Sequence, residues 1–302
     1  MKGSKQIEEL MGDTRLLTRV KVENYLLVHL GLRSCSQTTL PAEFPEAEAM
    51  GAAIDERVYP HMRRLSAVTD PKRRRAAIDT VKRELRTAFE EIVEASDRYR
   101  AHMEWARALG LRSLRVEVRP TVRELYLFRD RDVGRRLRRL MSRREDLRRQ
   151  ALRHPSPDMG RVQFAYPEEF QGTWLREMGE LLGYPGCCVK RYASDRERGI
   201  SVEERAARQI GEAEQRGEVD PLAYFIAYFF PCSPDCEAAL SRGRDCRERL
   251  REIAPDLGNL YEAEAAENLD RVRRQPDLIA RYRARAEETS RRGPRPRGPP
   301  PP

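Results

Sequence analysis

No run of apolar residues in this chain is long enough to cross a bilayer. The most apolar window, Leu222 to Pro231, is about half of the ~18 residues that a spanning helix needs. Mean hydropathy is −0.76, and 35% of the residues are charged, which excludes a multi-span membrane protein. Met1 to Gly12 carries no apolar core of the kind a secretory leader needs, so the cytoplasm is the expected compartment and no membrane partner is expected. Histidine is scarce: His29, His61, His102 and His154 are all there is, and all lie well before the main cysteine motifs. The Rossmann and P-loop glycine patterns are missing, as are Gly-x-Ser-x-Gly and His-Glu-x-x-His. The common nucleotide-dependent, serine-hydrolase and zinc-protease templates therefore have no support. Acid is also short in the first half: residues 1–160 carry a net charge of +10, residues 161–302 a net of −1.

The 302 residues suffice to bury a substantial core. The pattern predicts a mostly α protein, or α+β with two short strands. A helix is expected over 46–67. Asp70 and Pro71 then supply a cap and a first helical residue. From there Ile78, Val81, Leu85, Phe89, Ile92, Tyr99 and Met103 form one apolar stripe, which reads as a single helix ending at Gly110. Residues 114–118 and 124–128 read as a short β hairpin. After it come helices over 168–182 and 187–198, one capped by Ser201, and one opened by Ser233-Pro234. In domain terms this gives a basic, mainly helical region over 1–155 and a helical cysteine-containing domain over 156–290. The Arg/Pro/Gly-rich tail at 291–302 is expected to be disordered.

Arg131 to Arg153 holds ten arginines against three acids. Val133, Leu137, Leu140, Met141, Leu147 and Leu152 are its expected buried side. Arg135, Arg136, Arg138, Arg139 and Arg143 are the candidates for binding nucleic acid or another polyanion, an interaction that would be strongly salt-dependent. The competing reading is a solvated surface helix, because these arginines point round much of the helix and no aromatic residues interleave with them for base stacking.

Six cysteines are present, and in a cytoplasmic chain of this size they should be reduced. Four fall in two short motifs. The first is Leu-Gly-Tyr-Pro-Gly-Cys-Cys-Val (182–189), the second Phe-Phe-Pro-Cys-Ser-Pro-Asp-Cys (229–236). Each has an apolar segment, a Pro- or Gly-made turn, and cysteines where a helix should begin. A helix N-terminus presents unpaired N–H groups and partial positive charge, which favours the thiolate. Two such ends brought together would converge the sulfurs of Cys187, Cys188, Cys232 and Cys236 on zinc or an iron–sulfur cluster. Cys232 and Cys236 have ordinary ligand spacing. Adjacent Cys187 and Cys188 do not, since neighbouring side chains diverge by ~100° on a helix. Either that pair lies in non-helical backbone or only one of the two coordinates. Cys246 is too far along its helix to join the first shell, Cys35 cannot be placed, and Asp235 is expected to cap the second helix.

At these two motifs the sequence resembles the uncharacterised family of domain of unknown function 483, found mainly in archaea and some bacteria. The resemblance covers roughly residues 165–255. It implies that the four cysteines belong to a shared pattern and brings no activity with it. Three functions follow from the residues. The first is a cytoplasmic metal- or iron–sulfur-binding protein, with or without catalysis. The second is a nucleic-acid-binding protein with a structural zinc. The third is a metal-free thiol redox or sulfur-transfer enzyme.

Overall fold

The computed structural model describes residues 2–155 and 160–292. Among them are twelve α-helices and one three-stranded antiparallel sheet, so the protein is mostly helical. Helix α1 (Lys2–Gly12) leads into a wide π turn over Val20–Leu26, continued by the single turn α2 (Leu27–His29). Every residue from Val20 to Val28 is buried. The apolar segment noted near Tyr25 is thus the centre of the molecule.

Strand β1 (Cys35–Leu40) follows, then α3 (Ala47–Ser66) and α4 (Pro71–Phe89). Asp70 caps α4, its carboxylate accepting from Arg73 N at 2.8 Å. The long stripe does not continue as one helix. A π turn over Glu90–Glu94 ends it, and Ser96 caps a new helix, α5 (Asp97–Ala108), by accepting from Tyr99 N at 3.2 Å. The π turn inserts one residue into the helical phase. Val93 is therefore fully buried and Ile92 only half-buried. Gly110, at φ 67°, ends α5 as expected.

The hairpin forms from β2 (Arg112–Arg119) and β3 (Val122–Phe128). The sheet has a third member: β1 pairs with β3 from Cys35↔Phe128 to Leu40↔Arg123, giving the order β1-β3-β2. β1 was not foreseen because its buried residues include Ser36 and Thr38. Their hydroxyls are both satisfied by Asn24. Ser36 Oγ donates to Asn24 O at 2.8 Å, and Asn24 Nδ2 donates to Thr38 Oγ1 at 2.9 Å. Central β3 is buried on both faces. Leu125 and Leu127 enter the main core, Tyr126 and Phe128 a smaller one behind the sheet.

Helix α6 (Arg131–Arg153) keeps its predicted bounds, capped by Asp130. Leu137, Leu140 and Met141 are buried, but Leu152 is 65% exposed and takes no part in the buried side. Arg144 is buried instead, paired with Glu124 of β3 at 2.6 Å. Then come α7 (Arg161–Ala165), α8 (Gly172–Leu181), α9 (Gly186–Glu197) and α10 (Val202–Glu214). The expected start at 168 is a 3-10 turn, Pro167–Phe170, and the α-helix begins only at Gly172. Ser201 caps α10, accepting from Glu204 N. The last helices are α11 (Glu237–Ile253) and α12 (Pro255–Arg292). α11 begins three residues after Ser233-Pro234, with Cys236 as its cap residue. The tail from residue 293 onward lies outside the described residues.

The main core draws on residues from Ile7 to Val272. Glu23 ties its ends together, accepting from Ala227 N at 2.9 Å and from Asn268 Nδ2 of α12 at 2.7 Å. His102 is also wholly buried, with Nδ1 2.8 Å from Tyr25 Oη and its ring stacked on Phe44. Burial pushes its pKa down to about 3. In the folded chain His102 therefore stays neutral to about that pH, while in the unfolded chain it gains a proton below about 6.5. Its contribution to stability is intact above pH 6.5 and is lost as the pH falls toward 3, at up to about 1.4 kcal/mol per unit. Urea titrations at pH 7 and pH 5 should show a drop smaller by about 2 kcal/mol in His102→Phe than in the wild type. Equal drops would remove His102 as the cause.

Candidate metal centre

The first cysteine motif is built by a helix stop. After α8, Gly183 takes φ 79°, donating to Glu180 O, while Tyr184 N reaches back to Gly179 O at 3.0 Å. This two-bond closure needs a left-handed residue, which glycine supplies without strain. Pro185 then turns the chain into α9, placing Cys187 and Cys188 in its first turn. Val189 packs against Gly179, where an added Cβ would lie 2.7 Å from the Val189 side chain. The motif is therefore a helix–turn–helix corner that must pack closely.

The second motif is a loop pinned by aromatic rings. Phe229 packs on Phe225 and Tyr184, with ring centroids 4.6 and 5.0 Å apart, and Phe230 stacks on Tyr192. Cys232 lies in the loop and Cys236 caps α11, so both motifs place cysteine at a helix N-terminus. Asp235 does not cap. It is exposed and bonded to Ser233, which lowers its carboxyl pKa.

The four sulfurs converge. Cys187 Sγ and Cys188 Sγ each lie 3.6 Å from Cys236 Sγ, and 3.9 Å from each other. All four sulfurs, that of Cys232 included, lie within 4.8 Å of one another. The backbone N–H of Cys232 points at Cys188 Sγ from 3.4 Å. The adjacent pair is helical after all, and both its members reach Cys236. This works because Cys187 stays on the exposed side and Cys188 on the buried side of the same point. Burial pushes the Cys188 thiol up, and its cysteine neighbours add to that, while the Cys232 N–H works the other way. Four cysteine sulfurs at this spacing could form a metal site for zinc or an iron–sulfur cluster. Cys35 and Cys246 are buried elsewhere, with thiols pushed up by burial to about 12 and about 11.

A buried ion pair supports the loop. Asp195 of α9 is fully buried, 2.7 Å from Arg205 Nε of α10. Arg205 Nη1 donates to Pro231 O at 3.2 Å and Cys232 O at 3.4 Å, and Gln209 Nε2 donates to Cys232 O. Neither Asp195 nor Arg205 was visible as a site residue. The available signal was spacing: Asp195 lies two turns after Cys188, and Arg205 and Gln209 are one turn apart. Of the aromatic residues beside the motifs, Tyr184 packs against the loop, whereas Tyr228 is 59% exposed. Arg191 pairs with Asp195, and Lys190 faces solvent.

None of the arginines singled out on α6 is among the groups bonded to the cysteines. Arg135 pairs with Asp132, Arg136 with Glu180, and Arg143 donates to Thr173 Oγ1, while Arg138 and Arg139 are exposed. Arg135 and Arg138 border an open groove with Arg112 and Arg131.

Residues 169–254 match the family described as Protein of unknown function (DUF483). The DUF483 segment runs from just before α8 to the end of α11 and contains all four converging cysteines. Over 69 residues the chain is 29% identical to an uncharacterized protein, MJ1106, of Methanocaldococcus jannaschii. That alignment covers 22% of this chain and 36% of the relative, so the chain spans about a third of that relative's length. No solved structure matches the chain. No helix among the described residues is long and apolar enough to cross a membrane.

Proposed function

We propose that the chain is a metal-binding protein whose centre is a single zinc ion held by Cys187, Cys188, Cys232 and Cys236. The observation that carries this is the sulfur spacing. Zinc–thiolate bonds of about 2.3 Å in a tetrahedron set the sulfurs about 3.8 Å apart. The separations of 3.6, 3.6 and 3.9 Å among Cys187, Cys188 and Cys236 bracket that value, and Cys232 Sγ lies within 4.8 Å of all three. A cubane iron–sulfur cluster carries each thiolate on a different iron, which spreads the ligands wider. The donor set also fits on chemical grounds. Soft sulfur donors suit zinc, whose charge would favour their thiolate form. Bound there, the metal would join the α8–α9 corner to the Phe229–Cys236 loop, a structural cross-link about forty-five residues long in the chain.

Elemental analysis of anaerobically purified protein tests the reading. One equivalent of zinc and a colourless preparation are expected. Iron with absorbance near 400 nm would replace zinc with a cluster. Metal-free protein with one fast-alkylating thiol would overturn metal binding and support thiol chemistry.

A further inference from the structure

A cavity of about 520 Å³ opens beside the cysteines, and Cys188 forms part of its wall. That is the size of a small-molecule pocket. Aromatic side chains dominate its apolar lining, among them Tyr126, Trp174, Tyr184, Tyr192 and Phe229. Tyr228, at the same cavity, is a non-glycine residue held at φ 60°, with the Arg19 guanidinium 5.5 Å above its ring. Such strain is retained where surrounding structure enforces it, often at ligand sites.

Among the described residues, most of the charges lining the cavity are paired, and Arg33 and Glu169 are not. Arg19 meets Glu43 at 2.8 Å, Arg144 meets Glu124 at 2.6 Å, Arg196 meets Glu203 at 2.9 Å, and Arg148 meets Glu168. Arg33 is 6% exposed, yet among the described residues no carboxylate forms an ion pair with it. Its Nη1 donates to Glu23 O at 2.9 Å and lies 3.5 Å from Asn24 Oδ1, and its Nε has no hydrogen-bond partner there. The Glu23 carboxyl acts on it only through space, without ion-pair contact. The Glu23 carboxylate is taken by Ala227 and Asn268, and burial pushes the Glu23 and Glu169 carboxyls up, toward the neutral form. A buried guanidinium without a counter-ion is costly, and a ligand carboxylate or phosphate would supply one in fork geometry. Burial also holds the Tyr184 phenol in its protonated, donating form.

We propose that this cavity binds a small aromatic anion, with its acidic group at Arg33 and its ring among Trp174, Tyr184, Tyr192 and Phe229, beside the four-cysteine centre. The inference goes beyond metal binding and stands on the cavity alone. Trp174 lines the pocket and reports occupancy, whereas Trp105 is bonded to Asp13 outside it. Purified full-length protein is titrated with benzoate, phenyl phosphate and, as the neutral control, benzyl alcohol, following tryptophan fluorescence. At least one anion should bind saturably at millimolar concentration, and which one decides between carboxylate and phosphate. Benzyl alcohol should bind at least about tenfold more weakly. Arg33→Gln should weaken the anion by at least about tenfold. Asn24→Asp, nearly isosteric, places a carboxylate against Arg33 from within and should do the same without relying on the Gln variant to fold. Equal binding of the alcohol, no saturable anion binding, or an unchanged affinity in Asn24→Asp would each overturn the proposal. Zinc content of the same samples is read separately, so loss of metal and loss of anion binding are distinguishable.

Discussion

Replacing Cys188 and Cys236 together with serine is expected to abolish metal retention, from about one equivalent per chain to none. These two sulfurs lie 3.6 Å apart and are the buried members of the group, one from each motif. A serine hydroxyl is a hard, weakly acidic donor and does not replace a thiolate at a soft site. Structural zinc supplies folding free energy outright, so the effect extends to stability. The melting temperature of the double variant should fall to that of chelator-treated wild type, and chelator should then have no further effect on the variant. Cys35→Ser serves as the control, since Cys35 lies in the smaller core behind the sheet. It should keep its metal. If the Cys188/Cys236 variant held a full equivalent of zinc, the proposed centre would be wrong.

The second large effect is expected at Asp195. Asp195→Asn leaves Arg205 buried, 3% exposed, without its carboxylate. Burial already works against the Arg205 charge, and Asp195 is what offsets it. Breaking one side of such a pair costs about 3–5 kcal/mol, because the remaining charge stays desolvated. For a chain of this size that corresponds to a fall in Tm on the order of 10 °C. Because Arg205 also holds the carbonyls of Pro231 and Cys232, the variant should surrender zinc to chelator faster than wild type at temperatures where both are folded. The pair should be strongly non-additive: Arg205→Met in the Asp195→Asn background should cost less than in the wild type. Additive effects, or a stability loss below about 0.5 kcal/mol, would show that the pair does not hold the loop.

These two predictions depend on the chain in different ways. The cysteines were legible because a thiol is rare, and because Pro and Gly before it mark a helix start. The ion pair was not legible, since Asp and Arg are abundant here and most of them face solvent. β1 was missed for a related reason. Its buried positions are polar and become tolerable only when Asn24, more than ten residues earlier, supplies their partners. The apolar stripe over 78–103 does face the core, with Val81, Phe89 and Tyr99 buried and the rest half-buried, but it is not one unbroken helix. Periodicity reports a face and does not show where a serine takes over as a cap.

From the amino-acid order alone come the helix bounds of α6, the caps at Asp70 and Ser201, the stop at Gly110, and the two cysteine turns. Each is settled by bonds spanning three or four residues, which local chemistry decides. The tertiary structure alone decided that residues 187–188 meet residues 232–236, that Asp195 faces Arg205, and that Arg33 borders a cavity without a carboxylate of its own. Those facts depend on how helices and sheet pack over long stretches of chain, and that packing is fixed by the whole buried surface rather than by any one segment.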